Sequence, residues 1–163
     1  MGTERVRAMS YAATTTVSSD KSRAEIERTL SRYGASSFMY GWSQTHAQVA
    51  FDMHGRRIHF KLPMPDKTSE AFTKTPTGKP RVAKAAEEAY EQAVRQRWRA
   101  LSLVIKAKLE AVEAGITVFD EEFLAHIVLP NGGTVGQFML PQVETAYVTG
   151  NMPPLLPSPG DQS

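Results

Sequence analysis

Residues 82–114, VAKAAEEAYEQAVRQRWRALSLVIKAKLEAVEA, decide the fold. Tyr90, Val94, Trp98, Leu101, Ile105, Leu109 and Val112 recur at steps of three and four, which lays a single apolar stripe along a helix. No Gly or Pro interrupts the run. Pro80 stands before its start and Gly115 directly after its end, where such residues bound helices. The spacing predicts one helix of 33 residues. At a rise of about 1.5 Å per residue it would be roughly 50 Å long, more than a domain of this size needs. A stripe of that length requires an apolar surface to lie on, and the preceding residues offer one.

That surface is a predicted three-stranded antiparallel sheet over residues 36–62. With His54-Gly55 at a turn, Met53 pairs with Arg56, Phe51 with Ile58, Val49 with Phe60 and Ala47 with Leu62. The other face then pairs Asp52 with Arg57, Ala50 with His59 and Gln48 with Lys61. One register places the apolar residues on one side and the polar and basic ones on the other. Phe38, Tyr40 and Trp42 alternate along the first strand, either as core or as an exposed stacking row. The core reading is preferred because the long helix needs a partner surface.

Working outward, Ser22 to Tyr33 is expected to form a short helix. Ser22 is its N-cap, Glu25 the returning residue of a capping box, Ile26, Leu30 and Tyr33 its buried stripe, and Gly34 its stop. Residues 63–81, with four prolines and Lys67, Lys74, Lys79 and Arg81, are expected to form a long basic loop. Beyond the long helix, Phe119 to Val128 reads as a short helix with Phe123 and Ile127 inward. Asn131-Gly132-Gly133 reads as a turn, and Thr134 to Gln137 as a second capping box. Pro141 is expected to divide the region beyond that box into two helical pieces. Residues 1–20 are expected to be a flexible arm, residues 21–150 one domain, and residues 151–163, with four prolines, an extended tail. The fold class is therefore α+β: a three-stranded antiparallel meander packed on an N-terminal helix and one long helix, with a small helical C-terminal part.

Charge is sorted along the chain. Residues 1–109 hold all 19 Lys and Arg against 10 acids, a net +9, whereas residues 110–163 hold 7 acids and no Lys or Arg. Either the basic part binds a polyanion, or the acidic end folds onto it and neutralises it, and both can hold together. There is no cysteine, which excludes disulfides and thiolate zinc sites and makes a reducing cytoplasm the expected compartment. No apolar run reaches the ~20 residues of a membrane span, and no signal-peptide core is expected at the N-terminus.

Arg95, Arg97 and Arg99 are the strongest candidates for anion contact, because arginine suits bidentate phosphate recognition. Lys84, Arg95, Arg99 and Lys106 share one helix face, and Arg97 and Lys108 lie on the other flank of the stripe. Lys84 and Lys106 have Glu88 and Glu110 four residues on, and Arg95 has Glu91 four residues before it. Arg99 has no acid at helical spacing. Arg57 and Lys61 on the sheet's polar face, with Lys79 and Arg81 in the basic loop, complete the expected nucleic-acid-binding set. No cofactor, metal or catalytic residue is expected. Glu122 and His126 at i, i+4 lack a third ligand, and no nucleophile–base pattern stands out, so the chain is not expected to be an enzyme.

The segments Arg97-Trp98-Arg99-Ala100-Leu101, residues 105–113, Phe123-Leu124-Ala125-His126-Ile127-Val128-Leu129-Pro130 and Met152-Pro153-Pro154-Leu155-Leu156-Pro157 resemble a family of small uncharacterised proteins of tailed bacteriophages and prophages. The resemblance covers most of residues 20–157. It implies a setting, the cytoplasm of a bacterial host under phage control, and no mechanism. The helix–strand–strand–strand–helix order is also similar to the double-stranded RNA-binding domain and to the core of single-strand annealing proteins. Both are likenesses of element order, and the second helix of the RNA-binding domain is much shorter than this one. Two functions are expected as alternatives. One is a phage accessory protein binding nucleic acid, DNA before RNA, in recombination or replication. The other is a protein-binding modulator of a host factor, such as an anti-defence inhibitor, acting through the acidic C-terminal region and Pro-rich tail. A helix of this length often extends into a partner, so a homo-oligomer is expected.

Overall fold

A computed structural model describes residues 19–152. Helix α1 covers residues 19–32, followed by strands β1 (Ser37–Trp42), β2 (His46–Met53) and β3 (Arg56–Pro63). Next come helices α2 (Glu70–Thr73), α3 (Ala83–Glu113) and α4 (Phe119–Glu122), a 3-10 turn (Leu124–His126) and α5 (Val135–Thr149). The class is α+β, as expected. The flexible arm and the Pro-rich tail lie outside the described residues, save that residues 19–20 belong to α1 and Asn151 and Met152 come after α5.

The long helix runs 31 residues with Val82 and Ala114 as its caps. Gly115, at φ 73°, donates to Val112 O while Ile116 donates to Ala111 O, so the last carbonyls are satisfied by a left-handed glycine closure. Tyr90, Val94, Trp98, Leu101, Ile105 and Leu109 are buried. They meet Ile26 and Leu30 of α1 and one face of the sheet in a single core. Gly34, at φ 92°, closes α1 with Ala35 N–H bonded to Leu30 O. The expected N-cap at Ser22 is corrected: residues 19–21 are already helical, so Ser22 lies inside the helix.

The sheet order is β1-β2-β3. The β2–β3 register is the one read from the sequence, Met53 opposite Arg56 through Ala47 opposite Leu62. His54 (φ 51°) and Gly55 (φ 70°) both take the left-handed conformation that a two-residue hairpin requires. Ala47, Val49, Phe51, Met53, Ile58 and Phe60 are buried on the helix-covered face. Phe38, Tyr40 and Trp42 point to that same face, because they pair with Phe51, Val49 and Ala47. Only Phe38 packs against the core; Tyr40, with the Arg23 guanidinium of α1 4.2 Å from its ring centroid, stays 48% exposed, and Trp42 56%.

Residues 63–81 do not form one open loop. Asp66 accepts from Thr68, Ser69 caps α2, Lys74 and Pro80 form a bridge, and Arg81 N–H donates to Thr73 O. Phe72 fastens this excursion by an edge contact to Tyr90, ring centroids 5.6 Å apart. The expected helix over residues 119–128 is two short pieces, with Phe123 and Ile127 buried as expected. Residue 141 does not split the last helix. α5 runs through Pro141 from a complete Thr134–Gln137 capping box to Gly150. The carbonyl deprived of its donor belongs to Gln137, an exposed residue, where water can serve it. Among the described residues no helix is long and apolar enough to cross a membrane.

Candidate functional site

Helical phase determines which basic side chains meet. Gln92, Arg95, Gln96, Arg99 and Leu103 fall on one flank of α3 beside the buried stripe, and Ser102 is buried at its edge. α1 crosses alongside and adds Lys21, Ser22 and Glu25. These residues line an open cleft of about 650 Å³ between the two helices. Arg95 and Arg99 are both exposed and form no ion pair with any described residue, and Glu91 stays clear of Arg95. Three cations face one carboxylate, Glu25, so the cleft carries a positive surplus. Two guanidinium groups one helical turn apart, with two amides between and beside them, can grip adjacent anionic oxygens.

The other expected residues lie elsewhere. Arg97 is on the opposite flank of α3, where Nη1 donates to the Pro63 carbonyl at the end of β3. Lys79 is exposed in a turn closed by Thr75 N–H to Lys79 O, and Arg81 is half-buried just before α3. Arg57 and Lys61 lie on the sheet face turned away from the helices, by strand alternation. The seven residues therefore divide among separate surfaces: Arg95 and Arg99 together, and Arg97, Lys79 and Arg81 outside that cleft. Arg57 and Lys61 form the third group.

Arg57 is also engaged. Its Nε and Nη2 donate to Asp52 Oδ1 and Oδ2 at 2.8 and 3.0 Å, a bidentate pair, and Ser37 Oγ donates to Oδ2 at 2.6 Å. These bonds, Arg57's first, pull the Asp52 carboxyl down to about 2 and raise Arg57. Burial, and then the neighbouring His46 and Lys61, lower His59, whose Nε2 lies 3.1 Å from Gln48 Oε1. On this sheet face Arg57 is thus paired with Asp52 and His59 is disfavoured as a cation, whereas Lys61 has no ion-pair partner among the described residues.

The acidic C-terminal region does fold back, though not onto the arginines of α3. Asp120 pairs with Arg56 at 3.1 Å and Glu122 with Lys108 at 2.9 Å, whereas Glu110 meets Lys106 at 4.0 Å within α3, as their i, i+4 spacing implies. His126 stacks on Phe60 with centroids 4.0 Å apart and is lowered chiefly by burial, while Glu122 is occupied by Lys108. That ion pair and that stack hold the two residues considered as metal ligands, and no cluster of three ligating side chains occurs among the described residues.

Arg95 and Arg99 are readable as candidates from the sequence, but their setting is not. A signal for it exists in Gln92, Gln96 and Ser102, which repeat at helical spacing around the two arginines. The approach of Lys21 is a tertiary fact with no sequence signature. No family model, curated protein or solved structure matches the chain.

Proposed function

We propose that the chain binds nucleic acid, with DNA as the polyanion, through the cleft between α1 and α3. In the setting implied by the phage-family resemblance, it would act as an accessory to recombination or replication in a bacterial host. The observation that carries this reading is that Arg95 and Arg99 stand side by side in an open cleft with Lys21 and without an ion-pair partner among the described residues. Arginines that do not support the fold through a carboxylate are available to a phosphate. Affinity of this kind comes from counterion release and falls with salt.

Fluorescence anisotropy with labelled single- and double-stranded DNA over a salt series tests it. Arg95→Ala plus Arg99→Ala should weaken binding and reduce the slope of log K against log[salt] by about 2 on duplex DNA. Lys61→Ala, on the reverse face, should leave the slope nearly unchanged. Absence of binding by the unaltered chain at low salt would overturn the reading.

One observation favours the alternative, a protein-binding modulator of a host factor. Gly136 is the one fully buried residue of α5, and Leu140, Tyr147 and Val148 stand exposed along it. Under that reading no DNA binds even at low salt, one bacterial protein co-purifies, and Tyr147→Glu releases it.

A further inference from the structure

The two outer edges of the sheet differ. β3 is partly closed: Ile58 bridges Ile127, and Val128 N–H donates to Arg57 O. β1 is open. Ser43 N–H donates to His46 O one step beyond the Trp42–Ala47 pair. By antiparallel alternation Ser37, Met39 and Gly41 then turn their backbone groups toward β2, and Phe38, Tyr40 and Trp42 turn theirs outward. Those outward groups meet no hydrogen-bond partner among the described residues.

Edge strands normally carry protection: a lysine, a proline or a bulge that prevents another strand from pairing. β1 reads Ser-Phe-Met-Tyr-Gly-Trp, with no charge and no proline, and its pairing with β2 is uninterrupted from Ser37 to Trp42. It also leaves Met39, Tyr40 and Trp42 partly open to solvent.

We propose that β1 is the pairing edge of a homodimer, two copies joining antiparallel in a register centred on Tyr40. The strand is complementary to itself in that register. Tyr40 faces the partner's Tyr40, and Phe38 faces the partner's Trp42. All of these are outward-bonding positions, so the backbone groups of both copies satisfy each other. On the reverse face Met39 falls opposite the partner's Gly41, a large side chain against none. The exposed aromatic overhang of each copy meets that of the other and forms a continuous row, the kind of cross-strand pairing that stabilises sheets. The strand carries no charge of its own, and the cation over Tyr40, Arg23, is paired with Asp20, so two copies can approach. The result is one six-stranded sheet whose two-fold axis is perpendicular to it, so both helix layers, with both Arg95–Arg99 clefts, lie on the same side. The dimer stands whether or not the cleft binds DNA, because its test contains no nucleic acid.

Light scattering on the full chain over a range of concentrations should give the mass of two chains. Tyr40→Pro should give the mass of one chain with unchanged circular dichroism, since the N–H it removes makes no bond to β2. Should that variant not fold, cysteine substitutions decide, because the chain has no cysteine of its own. Hydrogen-bonded antiparallel partners have Cα atoms about 5.5 Å apart, within disulfide reach. Tyr40→Cys should therefore crosslink two chains on oxidation. Trp42→Cys, whose opposite number is Phe38, should not. A single-chain mass at every concentration, an assembly larger than two, or equal crosslinking through Trp42→Cys would each overturn the proposal.

Discussion

Asp52 shows how much one carboxylate can organise. It takes two bonds from Arg57 and one from Ser37, so one side chain joins all three strands on their polar face. Its pKa falls from the ordinary 3.8 to about 2, which means that the folded chain holds the proton less tightly than the unfolded one. The stabilisation is therefore fully present above the unfolded value and is lost as pH falls through the folded one. Unfolding free energies measured by denaturant titration between pH 5 and pH 2 should decline in that window. Ser37→Ala, by removing the second-largest cause of the shift, should make the decline start from a lower stability and end at a higher pH. The Asp52–Arg57 pairing is implied by the hairpin register. The Ser37 contact is not, because it depends on how β1 aligns and β1 carries no turn signal of its own.

Elements differ in how openly the chain announces them. The hairpin is legible because alternation and the His54-Gly55 turn agree on one register, and a slip by one residue would bury Arg57 and Lys61. The long helix is legible because its stripe never breaks. Residues 63–81 are not, since Phe72 closes that excursion by reaching Tyr90, a contact between segments with no shared period. α5 misleads through Pro141, because a proline marks a break only where the helix has nothing else to hold it. Here the Thr134–Gln137 box fixes the start six residues earlier. The junction of α5 with the preceding 3-10 turn is equally specific. A Cβ built on Gly136 would lie 2.8 Å from the Ala125 carbonyl oxygen, a backbone atom that cannot swing aside. Gly136→Ala should cost about 1–3 kcal/mol of stability, read as a lower denaturation midpoint at an unchanged slope. This runs against the usual gain from replacing a helical glycine.

At the scale of the whole molecule, burial is unevenly shared. The core draws on α1, the inner sheet face, α3 and the Phe119–Ile127 segment, whereas in α5 Gly136 alone is fully buried. Local opening should track that distribution. Hydrogen exchange monitored by mass spectrometry should show peptides from residues 140–149 losing protection well before those from residues 94–109. Equal protection would mean that something covers α5. Charge is also distributed by face, and this is the least legible feature of the candidate site: the same seven cations written along the chain end up on different sides of the sheet. Arg95 and Arg99, by contrast, sit on a helix whose neighbouring residues Val94, Trp98 and Ile105 are locked into the core. Their separation is consequently set before any ligand arrives. A bound polyanion would find the two guanidinium stems already at fixed stations, with only their side-chain rotors left to settle. Discrimination among ligands would then rest with the flexibility of the ligand, favouring a chain that can bend its charges to the protein's spacing over a stiff one that cannot.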